Sequence, residues 1–378
     1  MTIILSDADV IDQIFNHIDG KSTDLADKTW QEPIENYRSE ERFKAEIALL
    51  KRLPVPFCPS ASLPENGTYV ARTAAGTPLI AVRGDDGIVR AFYNSCRHRG
   101  MAVAEGSGSA RSFVCPYHSW AYGLDGQLKH VPGAHGFPDL DYEKHGLVQV
   151  HAEEKSGLVF VTQEDPISQG ALEALPDFFN SDQIAFDSIE FTDDANWKLL
   201  AETSMEGYHI KALHNKTFYP YGLDNINVVE TFGTNSRIVF PFRRIEKLRD
   251  IPREERRLSG MVTDVFQLFP NTHISILSDH SLLIILEPVS PTETRWEIFR
   301  LNNRMKGDKE IDLEKAKRDA SFVTDTGLAE DRHAACTIQA GMSGKANEHF
   351  TFGKFEKAAI HFHEIMDEML AKLPQNEQ

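Results

Sequence analysis

SCRHRGMAVAEGSGSARSFVCPYHSW, residues 95–120, contains two of the four cysteines in this 378-residue chain, each followed closely by a histidine. Cys96 and His98 are separated by one residue and Cys115 and His118 by two, with sixteen residues between the halves. Each half fits a loop that offers one thiolate and one imidazole. Two Cys and two His suit a tetrahedral zinc ion, although zinc loops more often supply a cysteine pair and then a histidine pair. The alternating order also fits a [2Fe-2S] cluster in which the thiolates hold one iron and the imidazoles the other.

The chain on either side of this stretch has two textures. Residues 66–162 consist of short β-rich runs. TYVARTAAGTPLIAVRGDDGIVRAFYN (68–94) shows two apolar stretches around a DDG turn, and GLVQVHAEEKSGLVFVTQ (146–163) reads as a second strand pair. Before them, DKTWQEPIENYRSEERFKAEIALLK (27–51) is rich in helix formers and stops ahead of a Pro-containing segment. After them, 164–185 is turn-rich at its ends, and helix and strand then mix. NWKLLAETSMEGYHIKALH (196–214) reads as strand and then helix, and HISILSDHSLLIILEPVSPTETRWEIFRL (273–301) as two or three strands. In the tail, Phe352, Phe355, Ala359, Phe362, Ile365 and Met366 recur at helical spacing. That amphipathic helix accounts for His349, His361 and His363 without a metal.

The totals narrow the function. The length suggests two domains, and 41% hydrophobic with 26% charged residues describes an ordinary globular protein. A formal net charge of −17 disfavours nucleic acid and anionic membrane surfaces as partners. No export signal and no apolar run of about 20 residues is visible. Cysteines at 58, 96, 115 and 336 are too sparse for a disulfide framework, so a reducing cytoplasm is expected.

CRHRG followed by CPYHSWAYGLDGQL closely resembles the Rieske signature of the non-haem iron ring-hydroxylating oxygenases. Respiratory Rieske proteins carry one further cysteine in each motif; Met101 and Tyr117 stand there here, so the disulfide of that class is excluded. A Rieske module needs only about a hundred residues. The remainder contains His209, His214 and, far downstream, Asp331 in LAEDRHAACTIQAGM. Two histidines and a carboxylate leave positions open on a ferrous ion for dioxygen and substrate. Five residues apart, the two histidines would lie about 140° apart on a regular helix, so the helix must bulge or end near 210–213 if they are to converge. In isolation the pair fits ordinary core or surface histidines better than an iron site; its position downstream of the Rieske motif reverses that.

The resemblance implies the rest. It assigns the cluster to Cys96, His98, Cys115 and His118, and the mononuclear Fe(II) to His209, His214 and Asp331, with Glu330 one step away as the competing carboxylate. It makes Glu206 the bridge to a cluster in a neighbouring subunit, and hence expects a homotrimer. Thr203 and Ser119 depart from the family's common amide and glycine. The implied fold is α+β: an N-terminal helical segment (1–50), an antiparallel β Rieske domain (51–163), and a helix-grip catalytic domain (164–378) with a curved antiparallel sheet and a long C-terminal helix. The implied activity is that of a terminal oxygenase which takes electrons from a separate reductase or ferredoxin and acts with O2 on a small aromatic or N-/O-methylated molecule. Length favours an α-only assembly and monooxygenation. Phe218, Tyr219, Phe266, Phe269 and Leu282 are pocket candidates. FRRIEKLRDIPREERR (242–257), with seven cations against four acids, is either a donor-docking patch or a solvated, paired surface. A non-catalytic Rieske electron carrier or iron-sulfur sensor, needing only residues 95–118, is the alternative from another class.

Overall fold

The computed structural model describes residues 4–180, 183–303, 312–344 and 346–375. Two compact units emerge: Leu50–Ser168 with Asp177–Ile184, and Met1–Leu49 with Gln169–Pro176 and Ala185–Gln378.

In the first unit a seven-stranded antiparallel sheet runs in the order Val55–Pro59, Leu158–Thr162, Gln149–Lys155, Val89–Tyr93, Thr77–Arg83, Thr68–Ala74, Gly106–Ser109. Residues 68–94 hold three strands rather than two. Ala75 and Gly76 both take positive φ (47° and 72°) and close a two-residue hairpin between Ala74 and Thr77, a turn whose usual Asn or Asp signal is absent. Ser156 and Gly157 (54° and 78°) close the second hairpin in the same way. A small sheet of Phe113–Val114, Ala121–Tyr122 and Leu128–His130 completes the unit. Ile80, Phe92, Phe113, Trp120 and Tyr122 form its core, and Cys96 and Cys115 are buried in the same cluster.

In the second unit the antiparallel sheet runs Ala185–Asp193, Glu293–Asn302, His280–Ser290, Thr272–Ile276, Val262–Leu268, Asn235–Pro241, Val228–Phe232. Helices are α1 (Asp7–Gly20), α2 (Glu40–Arg52), α3 (Trp197–Glu202), α4 (Ile210–Leu213), α5 (Leu313–Asp325), α6 (Gly327–Gly341) and α7 (Lys357–Leu370). The fold is the expected α+β class: the curved sheet grips α7, which lies on strands 228–232 and 235–241 and buries Ala358, Ala359, Phe362 and Met366. No described helix is long and apolar enough to cross a membrane.

Two local readings are corrected. Residues 196–202 are helical rather than strand-like, because the Asn196 side chain accepts the Lys198 N–H and caps α3. The stretch 27–51 begins with a strand, Trp30–Pro33, and a 3-10 turn, Ile34–Tyr37, before α2; the strand exists only because it pairs with distant His349–Phe352. α3 is also held from below. Trp197 Nε1 donates to Glu46 at 2.8 Å, and the fully buried Lys198 ammonium donates to the same carboxylate at 2.7 and 2.9 Å. Tyr37 donates to Glu202 at 2.7 Å, and His363 lies 3.0 Å from that carboxylate. Removing one member of such a buried pair costs about 3–5 kcal/mol, so the loop after α3 starts from a rigid base.

Candidate active site

The two Cys-His loops are built alike. Cys96 N–H donates to Met101 O and Gly100 N–H to Cys96 O; Cys115 N–H donates to Trp120 O and Ser119 N–H to Cys115 O, all at 2.8–2.9 Å. In each loop the residue four past the cysteine is left-handed: Gly100 at φ 80° and Ser119 at φ 59°. The family's glycine at 119 thus has a conformational reason, and Ser119 occupies the position at a steric cost. His98 Nδ1 and His118 Nδ1 face each other at 3.1 Å, while both thiols are free and buried. Rings orient the imidazoles: His98 stacks on Trp120 (5.0 Å between centroids, 10°), and His118 lies on Tyr117 at 3.7 Å. Sequence reading missed Tyr122. Its hydroxyl accepts the Arg97 N–H at 2.9 Å, which leaves its hydrogen for Cys96 Sγ, 3.2 Å away. Hydrogen bonds to cluster sulfur raise the reduction potential.

The second constellation is assembled from two distant segments. α4 is a single turn, with His209 immediately before it and His214 immediately after. Because the helix ends at both histidines, the 140° problem disappears, and both Nε2 atoms approach Asp331 Oδ1, at 3.4 and 2.9 Å. One ligand atom from each of the three lies within 4.8 Å of the others; no other such trio occurs among the described residues, and His349, His361 and His363 stand outside it. Asp331 Oδ1 is buried yet accepts no well-directed hydrogen bond despite its nitrogen neighbours. The two distances to Asp331 Oδ1 are close to the ~3 Å expected between adjacent ligands of an ion with ~2.1 Å bonds.

The far nitrogens are pinned by carboxylates. Glu206 Oε1 meets His209 Nδ1, and its other oxygen accepts the Tyr208 and His209 N–H groups. Glu330 Oε2 lies 2.6 Å from His214 Nδ1 and accepts the Thr217 hydroxyl at 2.6 Å. The adjacent acids on α6 therefore face different atoms: Asp331 meets the Nε2 pair, and Glu330 meets His214 from behind. Burial disfavours charge on His209, but the nearby Asp331 and Glu206 carboxylates outweigh it and lift its pKa to about 10. Burial likewise raises the Asp331 carboxyl, and the two imidazoles more than reverse this. Arg332 fixes α6 by donating twice to Asp193, at 2.6 and 2.7 Å, over the Phe191 ring. Gly327, one turn before Asp331, faces the Phe218 ring so closely that a Cβ would sit 1.9 Å from it; that ring in turn packs on His214, 4.8 Å between centroids.

A cavity of about 890 Å³ opens on this trio. Phe218 and Leu282 line it as expected, and so does Thr203. Tyr219, Phe266 and Phe269 do not: Phe269 packs on Phe362 of α7, and Phe266 on Phe232. Tyr221, Phe322 and Leu328 were missed. Leu328 and Asp331, three apart on one helix face, were the available signal. Three of the seven cations in the basic run are consumed internally: Arg249 pairs with Asp19, Arg253 with Asp9 and Asp12, and Arg256 with Asp12, all on α1.

Residues 54–150 match the Rieske [2Fe-2S] domain, and residues 185–372 the ring hydroxylating alpha subunit catalytic domain. The glycine betaine monooxygenase oxygenase subunit of Pseudomonas aeruginosa (strain UCBPP-PA14) is 31% identical over 344 residues, covering 78% of this chain and 79% of that protein. The carnitine monooxygenase oxygenase subunit of Escherichia coli (strain K12) is 26% identical over 373 residues, covering 90% and 93%. A solved quaternary ammonium Rieske monooxygenase, described for carnitine oxidation and inter-subunit electron transfer, superposes with a TM-score of 0.75 at 20% identity over 97% of this chain and 99% of that one. The catalytic-domain match leaves the free-standing electron carrier without support. With both modules present on one chain, the protein belongs to the Rieske non-haem iron ring-hydroxylating oxygenases, an oxidoreductase family whose cofactors are a Rieske [2Fe-2S] cluster and a mononuclear iron.

Proposed function

We propose that Cys96, His98, Cys115 and His118 hold the cluster, that His209, His214 and Asp331 hold the iron, and that the chain monooxygenates an N-methylated or aromatic small molecule. The convergence of two Nε2 atoms and Asp331 Oδ1 at the end of a cavity carries this reading. When bound, the cluster supplies electrons one at a time and the iron supplies dioxygen activation. The protein's own work is positional. Glu206 and Glu330 accept Nδ1–H from the two imidazoles, which fixes the tautomer and leaves both Nε2 lone pairs facing the ion. Phe218, Leu282 and Leu328 exclude water around the reacting atoms. Similarity to glycine betaine and carnitine monooxygenases supports a methylated nitrogen as the oxidised group.

Glu206 then serves as the electron bridge from the cluster of a neighbouring protomer in a homotrimer, fed by a reductase or ferredoxin in the cytoplasm. The inter-subunit transfer described for the solved relative supports this arrangement. Metal analysis and oxygen uptake test the whole: three irons and two acid-labile sulfides per chain are expected, and His209→Ala should abolish oxygen uptake with the visible spectrum unchanged. Zinc without sulfide, or a variant that retains turnover, overturns it.

A further inference from the structure

The cavity is apolar for most of its wall but not at the end formed by residues 243–244 and 315–319. Five charged side chains gather there: Arg243, Arg244, Lys315 and Asp279, which form an ion pair (2.6 Å), and Asp319, which bonds His280 at 2.8 Å. Lys315 and both acids are thus already partnered. Arg243 and Arg244 have no carboxylate partner among the described residues, in a chain of net charge −17 and in a run where Arg249, Arg253 and Arg256 pair with acids of α1. Both are nevertheless held in place. Arg243 donates to Tyr219 O at 3.0 Å and stacks on the Tyr219 ring; Arg244 donates to Gly260 O at 2.5 Å and Ser278 Oγ at 2.8 Å and stacks on Phe242. Each guanidinium keeps further N–H groups for an acceptor.

A continuous aromatic wall leads from the trio to this end. Phe218 packs on His214; Phe322 is 6.5 Å from Phe218 and 6.4 Å from Tyr221; the Tyr221 carbonyl accepts the Arg243 backbone N–H at 2.7 Å. Aromatic faces suit an aryl group or a quaternary ammonium, and guanidinium groups suit a carboxylate or sulfonate. We infer that Arg243 and Arg244 form an anion-binding end of the substrate cavity, so that the substrate is a small organic acid with its aryl or methylammonium portion on the Phe218–Phe322–Tyr221 wall and its acid group at the arginines. The inference rests on the oxygenase reading only for which end of the ligand meets the iron.

Calorimetric titration of the intact protein tests it with two pairs of probes: 3-phenylpropanoate and its carboxamide, and γ-butyrobetaine and its carboxamide. At least one acid should bind tenfold or more tighter than its amide, a preference that weakens as salt is raised. In the Arg243→Gln/Arg244→Gln variant, both positions being exposed, that ratio should fall toward one while amide binding persists. Equal affinity of acid and amide, an unchanged ratio in the variant, or no binding by either acid overturns the proposal. The oxygenase reading fails separately: if charge discrimination is present but no reductant-dependent oxygen uptake occurs with any cofactor-loaded preparation, the anion site stands and the assigned chemistry falls.

Discussion

The two histidine pairs of this protein are aimed by opposite means. At the cluster loops the imidazoles lie against Trp120 and Tyr117, on turns locked by backbone hydrogen bonds within a few residues of each cysteine. At the candidate catalytic site each imidazole is gripped from behind by a carboxylate, and the third member of the trio, Asp331, arrives on a helix from far along the chain. Ring packing leaves an imidazole edge free, as an electron-transfer site requires; carboxylate anchoring fixes tautomer and adds basicity, as an ion held by only three side chains requires. The first site is therefore a local object, and the second depends on the whole catalytic unit.

The sharpest break in this contrast is Asp331→Ala. It should empty the mononuclear site and reduce oxygen uptake by at least ~10³-fold while the cluster's visible spectrum stays unchanged, since the loops and α6 belong to different compact units. Bleaching of the cluster in that variant would contradict the independence of the two sites.

A third histidine provides a control aimed by neither device. His273 is buried in strand 272–276 with both ring nitrogens unpartnered, and burial alone depresses its pKa to about 4. In the unfolded chain it protonates near pH 6.5, whereas the folded chain resists until about pH 4. The unfolded state binds more protons across that window, so stability is lost as pH falls from about 6.5 to 4, by on the order of 3 kcal/mol. His273→Phe should bring the urea midpoints at pH 7 and pH 4.5 closer together than in the parent. An identical acid dependence in both proteins would place the loss elsewhere.

Next in size is Glu330→Ala, which removes the partner of His214 Nδ1 without touching the ligand trio. Ferrous-ion affinity should fall about 10–100-fold, measured by competition with a chelator, with cluster content intact. An unchanged affinity would reduce Glu330 to a helix-surface acid.

How much of this was legible follows the same division. The residues proposed to hold the cluster lie within a single short stretch, and their spacing groups them. Asp331 and Glu330 are one residue apart, and which of them meets Nε2 depends on the roll of α6, set by Arg332 on Asp193 and by packing on Phe218. The strand at Trp30–Pro33 was hidden because its partner lies more than three hundred residues away, whereas the start of α3 had a local signal, the Asn196 cap, that was passed over. The basic run could not be divided into paired and unpaired arginines until α1 was seen beside it.

The smallest effect concerns the matched turns. Ser119 in the left-handed region costs roughly 1–2 kcal/mol, partly offset because glycine would loosen the unfolded chain. Ser119→Gly should stabilise the protein by about 0.5–1 kcal/mol in thermal unfolding, whereas Gly100→Ala should destabilise it by a comparable amount. Opposite signs at the two positions would show that the loops are interchangeable in backbone form; a loss in both would show that the Ser119 side chain does something the turn does not explain.

Gly327 acts as a gauge. The ring of Phe218 rests where its side chain would be, so the distance between the histidine segment and the helix bearing Asp331 is set by a missing methyl group. Even alanine there would wedge the two segments apart at the ring, one helical turn from the carboxylate. The gap that an ion must bridge is thus written in a residue that contributes no atom to its coordination.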